Sequence, residues 1–313
     1  MRVLVTGAGG FVGRAVVHRL AEAGDDVTAV SHHTWLDSPT NVRSVVADVL
    51  NPATITDAIY EAEPEGVCHL AALTRVRDSF QEPTRYFAVN VTGTIHVLRA
   101  LGHLADRTGR VPRLVFGSTA AVYGLVGEEP MAEDAPSLPT TPYGASKLAA
   151  DQVIGFQAAT GVLAAVSLRC FNVAGATPQT LDNDLTRVIP KALAVAAGVE
   201  PHLVMNGDGS SIRDYLHVAD LADAYAAALD AAKPGRHLIY NTGSGVPVSL
   251  RDVIDIAERV TGRRIAICRN PPQNEPRALL ADSSRIRHEL GWAPRRSQLA
   301  TIMRDAWEAV GRS

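Results

Sequence analysis

The chain has 313 residues, 46% of them hydrophobic, and its 30 lysines and arginines are outnumbered by 33 aspartates and glutamates. The net charge of -3 leaves no broad basic surface, which argues against nucleic acid and anionic membranes as partners. No apolar run reaches about 18 residues and the first residues lack a signal-peptide core, so we expect a soluble, cytoplasmic protein without membrane contact.

The three cysteines give no sign of a disulfide framework or a metal site. Cys68, Cys170 and Cys268 are odd in number and far apart, and the first two fall in apolar, strand-like runs. Such spacing is typical of unpaired thiols. We therefore expect buried free cysteines and no bound metal.

The first half of the chain alternates strand-like apolar runs with helical stretches. Strands are predicted over residues 3–5, 27–30, 44–46, 66–70, 113–116 and 164–168. Helices are predicted over residues 11–23, 52–61, 84–104 and 143–158. This rhythm indicates an α/β fold with a doubly wound parallel (Rossmann) sheet, whose helices make right-handed crossovers.

The pattern loosens after about residue 173. Helices are predicted over residues 183–198, 249–261 and 297–310, between short strands and loops rich in proline and glycine. We therefore expect a dinucleotide-binding domain over residues 1–173, to which 212–242 returns. Residues 174–313 are expected to form a smaller mixed α/β substrate lobe.

A glycine-rich turn follows the first predicted strand. Gly7, Gly10 and Gly13 stand three residues apart and lead into the first helix. Glycines in this place let the backbone approach a pyrophosphate, which the amides of Phe11 and Val12 at the helix N-terminus can bind. The strand-glycine-helix context favours a dinucleotide site over a simple tight turn.

The second strand lacks the carboxylate that usually binds the ribose 2′-hydroxyl about 20 residues after the glycines. It ends in Ser31-His32-His33, and Asp37 lies further along the loop. Asp48 and Val49 close the third strand, where an adenine edge would lie. No arginine stands at the second strand end to bind a 2′-phosphate, so NAD is expected, with NADP left open.

Two further segments carry candidate catalytic groups. Thr119 ends the fifth strand, where ligands gather in an open α/β sheet, although a strand-end threonine can also make only a local backbone bond. A hydroxyl there can hydrogen-bond an oxygen that changes between alcohol and ketone. Tyr143 and Lys147 are four residues apart, on one face of a predicted helix that Pro142 opens.

The tyrosine and lysine together can provide a base. A tyrosine with a pKa of about 10 needs a shift of roughly three units, or about 4 kcal/mol, to act near neutral pH. An ammonium about 4 Å away contributes roughly 4 kcal/mol at an effective dielectric of about 20. We therefore expect Lys147 to lower the pKa of Tyr143, the alternative being an ordinary surface pair.

With these motifs in order, the chain resembles the extended short-chain dehydrogenase/reductase superfamily, and most closely the UDP-glucose (UDP-galactose) 4-epimerases, over nearly its whole length. Residues 168–175 are similar to the segment whose asparagine, here Asn172, holds the sugar diphosphate. Residues 207–221 resemble the stretch whose arginine, here Arg213, contacts phosphate. The cofactor-domain signatures of the family imply further cofactor contacts at Leu70, Ala71, Ala72 and Asn90.

The chain also departs from these epimerases. Thr74 stands where a lysine often lies near the cofactor, and Pro272 where a second phosphate-binding arginine is common, for which Arg269 or Arg277 could substitute. Leu279 occupies the gate position beside the sugar. A tyrosine there restricts the pocket to unsubstituted hexoses, so leucine implies partial tolerance of N-acetyl groups.

The resemblance implies an NAD-dependent isomerase that inverts C4 of a UDP-hexose, of glucose, N-acetyl or uronate type, through a 4-keto intermediate. It also implies a homodimer formed by the helices over 84–104 and 143–158. The related dehydratases and decarboxylases need an acidic residue just after the strand-end hydroxyl, where this chain has Ala120 and Ala121. An NAD(P)-dependent nucleotide-sugar ketoreductase or dehydrogenase, and a non-catalytic NAD(P)-sensing protein, are the alternatives.

Other polar residues have simpler explanations. His217 and Asp220 are expected to fix a strand-to-helix turn, with the aspartate as the helix cap. Arg75, Arg77 and Arg187 could meet a uronic acid carboxylate, but solvated or structural roles are commoner, so they are not counted as site residues.

Overall fold

A computed structural model describes residues 1–33, 41–125, 127, 129–272 and 276–311. The strands, in chain order, are β1 (Arg2–Thr6), β2 (Asp26–Ser31), β3 (Val42–Val46), β4 (Gly66–His69), β5 (Arg113–Thr119), β6 (Ala164–Cys170), β7 (Asn172–Ala174), β8 (Ala176–Thr177), β9 (Thr180–Leu181), β10 (Leu203–Asn206), β11 (Ile212–His217), β12 (His237–Thr242), β13 (Pro247–Ser249), β14 (Ile267–Asn270) and β15 (Ala278–Leu279). The helices are α1 (Phe11–Glu22), α2 (Pro52–Ala62), α3 (Val76–Ser79), α4 (Pro83–Phe87), α5 (Gly93–Thr108), α6 (Pro142–Gln157), α7 (Val188–Ala196), α8 (Val218–Ala231), α9 (Leu250–Thr261), α10 (Ser284–Leu290) and α11 (Leu299–Val310).

Seven parallel strands form the central sheet, in the spatial order β12, β6, β5, β4, β1, β2, β3. Helices α1 and α8 cover one face, and α2, α5 and α6 cover the other. The middle strands are largely apolar, as is typical of parallel strands with both faces covered, and Leu4, Val67 and Leu114 are fully buried. Each such side chain contributes about 2 kcal/mol by burial. The doubly wound parallel sheet and its first six strands are therefore confirmed.

The remaining strands form a smaller mixed lobe with α7, α9 and α11. Strand β11 pairs in parallel with β7 and β15 and antiparallel with β13, while β10 pairs with β14. The apolar core of this lobe includes Leu193, Val253 and Met303, one from each helix. The chain returns to the central sheet between these parts, because α8 packs beside α1 and β12 then pairs with β6.

The helix predicted over residues 183–198 begins later, at Val188. Asp184 accepts hydrogen bonds from the backbone and the hydroxyl of Thr186, and Asp182 accepts one from the Asp184 backbone. Such local bonds hold the backbone in turns that compete with a helix. The prediction was wrong over residues 183–187, of which 184–187 line the cleft instead.

The helix predicted over residues 84–104 is interrupted by a π-helical turn, Ala88–Thr92, between α4 and α5, and it runs on to Thr108. The turn contains Asn90, which is buried and hydrogen-bonds the backbone N–H and C=O of Leu73 and the hydroxyl of Ser146. Turns of this kind are often found at functional sites. Here the turn places a polar side chain between the strand ends and α6.

Two boundary predictions were also wrong. Strand β3 ends at Val46, so Asp48 and Val49 follow it rather than close it. The cap of α8 is His217, whose Nδ1 accepts a hydrogen bond from the Ala219 backbone N–H.

Asp220 instead binds a distant segment. It accepts hydrogen bonds from the Arg296 backbone and the Ser297 hydroxyl, which hold the chain after α10 against the start of α8.

The three cysteines are unpaired, as expected, but only Cys68 is buried, since Cys170 is partly exposed and Cys268 exposed. In the part of the chain that the structure describes, none of the helices combines the length and the apolar character that a membrane span requires.

Candidate active site

A cleft of about 1420 Å³ runs along the carboxyl ends of the central strands, beside the smaller lobe. This edge is where open parallel sheets bind their ligands. Asn90 and Leu279 do not line the cleft. The other predicted site residues all do, namely Gly7, Gly10, Phe11, Val12, Gly13, Ser31, His32, Asp48, Val49, Leu70, Ala71, Ala72, Thr119, Tyr143, Lys147, Asn172 and Arg213.

The glycine turn leaves no room for side chains. Gly7 has a φ of +67°, and a Cβ on it would lie 2.6 Å from the backbone nitrogen of Ala71. A Cβ on Gly13 would overlap the Gly7 carbonyl oxygen, so helix and turn pack backbone to backbone. Gly10 begins α1 without a side-chain cap, and the first turn carries no acidic residue. The open amides and helix dipole therefore suit the pyrophosphate of a dinucleotide.

A buried histidine ties this turn to the neighbouring strand end. His69 Nδ1 lies 2.7 Å from the hydroxyl oxygen of Thr6, and its Nε2 lies 3.0 Å from that of Thr94. The Thr6 hydroxyl also accepts hydrogen bonds from the backbone of Leu70 and Ala71. Burial lowers the pKa of His69 to about 3, with a smaller effect of Lys147 in the same direction, so the ring is neutral.

The far end of the cleft has the polar groups expected at the adenosine. His32 Nε2 lies 3.3 Å from Asp48 Oδ2, and the rings of His32 and His33 have their centroids 3.7 Å apart. Both histidines and Asp48 line the cleft. Asp37, the other acidic residue considered for the ribose, lies outside the described residues.

At the opposite end, Tyr143 lies in the first turn of α6, whose cap Thr141 accepts a hydrogen bond from Gly144. A Cβ on Gly144 would overlap the carbonyl oxygen of Ala121, so the helix packs directly on the turn after β5. This contact places Thr119 near Tyr143, where its hydroxyl acts on the pKa of the phenol in the lowering direction.

The protein's own groups do not make the Tyr143 phenol acidic. Burial raises its pKa to about 12, although the Thr119 hydroxyl and the charge of Arg187 act in the lowering direction. The Lys147 ammonium lies 3.9 Å from the centroid of the Phe116 ring, and its charge is not one of the largest influences on the Tyr143 pKa. The expected net lowering of this pKa is therefore not found for the protein groups alone. The cost of burying a phenolate outweighs the nearby charges.

Comparison with known proteins identifies the family. Residues 3–243 match the model of the NAD dependent epimerase/dehydratase family. The chain belongs to this family. The match confirms the resemblance seen in the sequence and NAD as the expected cofactor.

Relatives of the chain match it along its whole length. The UDP-glucose 4-epimerase of Corynebacterium glutamicum is 38% identical, over 98% of this chain and 95% of the relative. A UDP-glucose-4-epimerase from Stenotrophomonas maltophila, solved with NAD and formylated UDP-arabinopyranose, has a TM-score of 0.89 at 32% identity, covering 100% of this chain and 99% of the other. MoeE5 in complex with UDP-glucuronic acid and NAD has a TM-score of 0.88 at 30% identity, covering 100% and 99%.

The two phosphate-binding candidates lie on neighbouring strands at the lobe side of the cleft. Asn172, on β7, donates from its amide to the Asp214 carbonyl at 3.1 Å. Arg213, on β11, donates to the carbonyl oxygens of Ile212 and Pro276 at 2.8 and 3.0 Å. These bonds fix the guanidinium at the cleft edge, in the cleft lining.

Leu279, the predicted gate residue, is set back from the cleft. Strand β15 places it opposite Arg213 in the β-sheet register. It is partly buried and packs on an apolar cluster that includes Ala120 and Phe171. Phe171 also lines the cleft. A change at Leu279 can therefore act on the cleft through this cluster.

A cluster of four charged residues at the cleft was not counted among the site residues from the sequence. Arg187 Nη1 lies 3.1 Å from Asp182 Oδ2, and Arg75 Nε lies 3.3 Å from Asp184 Oδ2. Arg187 also lies 3.7 Å from Asp184. All four side chains line the cleft, and the charge of Arg187 lowers the pKa of Tyr143. The cluster joins the loop after β4 to the segment before α7, which no local sequence pattern indicates.

A buried network supports the catalytic helix from behind. Asp151, one turn after Lys147, accepts a hydrogen bond of 2.8 Å from the Ser118 hydroxyl and lies 3.6 Å from Arg169 Nε. Burial lowers the pKa of Lys147 to about 8, and the charge of Asp151 acts in the opposite direction. The carboxylate therefore helps to keep the buried ammonium protonated near neutral pH.

Proposed function

We propose that this member of the family is an NAD-dependent isomerase that inverts C4 of a UDP-hexose through a transient 4-keto intermediate. The observation that carries the proposal is the pairing of Tyr143 with Thr119 in a cleft whose other end is the glycine turn. One proton-transfer group then stands at the coenzyme site, as oxidation of a carbinol and its reversal require. The UDP-glucose 4-epimerase from C. glutamicum, at 38% identity, supports the substrate class.

The coenzyme is held along the strand ends. The amides of Phe11 and Val12 bind the pyrophosphate, and His32 and Asp48 lie at the adenosine. When bound, NAD accepts the C4 hydrogen as hydride and returns it, and its oxidised nicotinamide ring is positively charged. Residues 1–173 with 212–242 form the coenzyme-binding part in this proposal, and the rest of 174–313 receives the sugar nucleotide.

Tyr143 takes the proton of the sugar 4-hydroxyl and later gives it back, while Thr119 holds the same oxygen in line. A pKa of about 12 is too high for a free phenolate at neutral pH. The deficit of five units corresponds to about 7 kcal/mol. The positive charge of the oxidised nicotinamide ring would lower the Tyr143 pKa. Lys147 adds its own positive charge from the side of the Phe116 ring.

Inversion requires that the sugar presents both faces to the coenzyme. Binding energy must therefore fall on the nucleotide, with the hexose held loosely enough to turn. Asn172 and Arg213 lie on the lobe side of the cleft and take the diphosphate. This division leaves the sugar to contact Thr119, Tyr143 and the apolar surface of Phe171.

The charges near Tyr143 favour an uncharged hexose over a uronate. Arg75 and Arg187 carry two positive charges, and Asp182 and Asp184 carry two negative ones, within 3.8 Å of their partners. The cluster is neutral in sum, so these four side chains offer a substrate carboxylate no net positive charge. UDP-glucose and its C4 epimer are therefore the proposed pair, with N-acetylated analogues admitted more slowly past Phe171 and Leu279.

The proposal is tested by turnover without added coenzyme. Purified protein is incubated with UDP-glucose, UDP-N-acetylglucosamine or UDP-glucuronate, and the products are separated by chromatography. We expect UDP-galactose to form, with kcat/KM at least about tenfold above that for UDP-glucuronate, a difference of about 1.4 kcal/mol. Turnover that needs stoichiometric NADH or NADPH would establish the ketoreductase instead. Tight NAD binding without turnover of any of the three would establish the sensing protein.

A homodimer remains part of the proposal. Phe156 on α6 is 78% exposed, and Phe87 at the end of α4 is 41% exposed, on the helices expected to form the contact. Large exposed aromatic side chains are typical of association surfaces. Light scattering of the purified protein should give twice the monomer mass of 33.2 kDa.

A further inference from the structure

Gly117 leaves a gap in the floor of the cleft. It lies on β5, two residues before Thr119, and lines the cleft. Its φ is not positive, so the backbone conformation does not demand glycine. The lack of space does require glycine, because a Cβ on Gly117 would lie 2.6 Å from the Tyr225 hydroxyl oxygen. The missing side chain is thus replaced by a phenol from another element.

Tyr225 reaches this place from α8, on the opposite side of the sheet from α6. It is 1% exposed and lines the cleft together with Gly117. Its phenol interacts electrostatically with Tyr143 and Cys170, which places the hydroxyl at the catalytic end of the cleft. Burial raises its pKa well above the ordinary value, so the group is a neutral donor at all physiological pH.

The hydroxyl differs from those of two other buried tyrosines. Tyr123 donates to Asn241 and Tyr240 donates to Glu289, both at 2.7 Å. The Tyr225 hydroxyl makes no such bond with the residues that the structure describes, and its side chain lines the cleft. A phenol in this position can donate its hydrogen bond to a ligand.

We propose that the Tyr225 hydroxyl donates a hydrogen bond to a polar group of the bound dinucleotide, in place of a side chain at position 117. The inference rests on the proposed function only through the coenzyme, and not on the sugar. It assigns a coenzyme-binding role to a residue of α8, which lies outside the glycine turn and the motif around Tyr143.

The test measures coenzyme release rather than turnover. Holoenzyme is diluted, and the loss of bound NAD is followed for wild type, Tyr225→Phe, Gly117→Ser and the double variant. The matched control is Tyr240→Phe, which removes the same atom from a buried tyrosine away from the cleft. Tyr225→Phe should release NAD about fivefold faster, as expected for one hydrogen bond. Tyr240→Phe should stay within twofold of wild type.

The double variant shows whether Tyr225 binds the coenzyme or has only a structural role. Gly117→Ser alone should release NAD faster because its side chain collides with the Tyr225 hydroxyl. Tyr225→Phe combined with Gly117→Ser removes the collision and restores a hydroxyl in the same gap, so release should return to within twofold of wild type. Equal release by wild type and Tyr225→Phe, equal loosening by Tyr240→Phe, or a double variant without recovery would each overturn the inference. Wild-type protein that binds no NAD would instead contradict the proposed function.

Discussion

The Lys147 ammonium lies 3.9 Å from the centroid of the Phe116 ring. Lys147 is 2% exposed and Tyr143 8% exposed, so the pair is buried and the alternative of a solvated surface pair is wrong. The aromatic face stabilises the cation, and His69 lies on the same ring with centroids 5.8 Å apart. Among the residues that the structure describes, none forms a direct ion pair with this ammonium.

The buried position of Lys147 predicts an alkaline limit to activity. Its pKa of about 8 means that the ammonium loses its charge as the pH rises through that value. We expect kcat/KM to fall above about pH 8. Lys147→Arg keeps its charge at higher pH, so its profile should stay flat to about pH 10, at a lower maximum. Two results would contradict the need for a charged Lys147: a wild-type kcat/KM that is constant up to pH 10, or the same fall above pH 8 in Lys147→Arg.

Tyr143 and Tyr86 provide a matched pair of phenols. Their rings meet edge to face, with centroids 6.4 Å apart, but the Tyr86 hydroxyl donates to the Arg75 carbonyl, whereas the Tyr143 phenol is the one on which Thr119 acts. Tyr143→Phe should lower kcat by about 1000-fold, the typical effect of removing an acid-base group. Tyr86→Phe should lower it less than about tenfold. Comparable losses in both variants would show that Tyr143 acts through packing alone.

The packing of the glycine turn predicts that coenzyme binding requires a glycine at position 13. Gly13→Ala places a Cβ on the Gly7 carbonyl, so we expect loss of bound NAD, measured as NAD per protein after gel filtration. Gly24→Ala is the control, since Gly24 has a φ of +86° but open space around it. Its cost is backbone strain of about 1 kcal/mol, without an effect on NAD. Retention of NAD by Gly13→Ala would contradict the assignment of the turn.

The lowered pKa of the buried His69 ring predicts that the folded protein loses stability in acid. Its pKa is about 3 in the folded protein and about 6.5 when unfolded, so only the unfolded chain takes up a proton between these values. The stabilisation is present above pH 6.5 and is lost as the pH falls. At pH 5 the loss amounts to about 2 kcal/mol.

Urea unfolding at pH 7 and pH 5 measures this difference. His69→Gln should be less stable at pH 7 but should lose about 2 kcal/mol less on acidification than wild type. The exposed His288→Gln is the control and should follow wild type. Equal acid sensitivity of His69→Gln and wild type would show that the buried ring is not the group that titrates.

The features that could be predicted from the sequence are those determined within a short segment of the chain. The apolar runs of β1 and β4 to β6, the glycine turn and the Tyr143-Lys147 spacing each lie within a short segment, and periodicity and residue type were enough to place them. The start of α7 was missed because two aspartates form turns with their neighbours, which outweigh helix periodicity.

The missing parts of the site arise from contacts between distant segments. The charge of Arg187 acts on Tyr143 across the cleft, and Tyr225 fills the space at Gly117 from the other face of the sheet. The direction of the Tyr143 pKa shift depends on burial, which a sequence does not give. The spacing of Tyr143 and Lys147 could therefore predict that the two side chains are close together. It could not show that desolvation outweighs nearby charges and raises the Tyr143 pKa.

The central claim is that C4 loses and regains its own hydrogen within one active site, with no net change in coenzyme. The most direct test is incubation of purified protein with UDP-glucose in D₂O, without added coenzyme, followed by proton NMR of the sugar C4 position. We expect UDP-galactose that retains protium at C4, because the hydride returns from bound NAD and does not exchange with solvent. Deuterium at C4, or no product until NADH or NADPH is supplied, would contradict it.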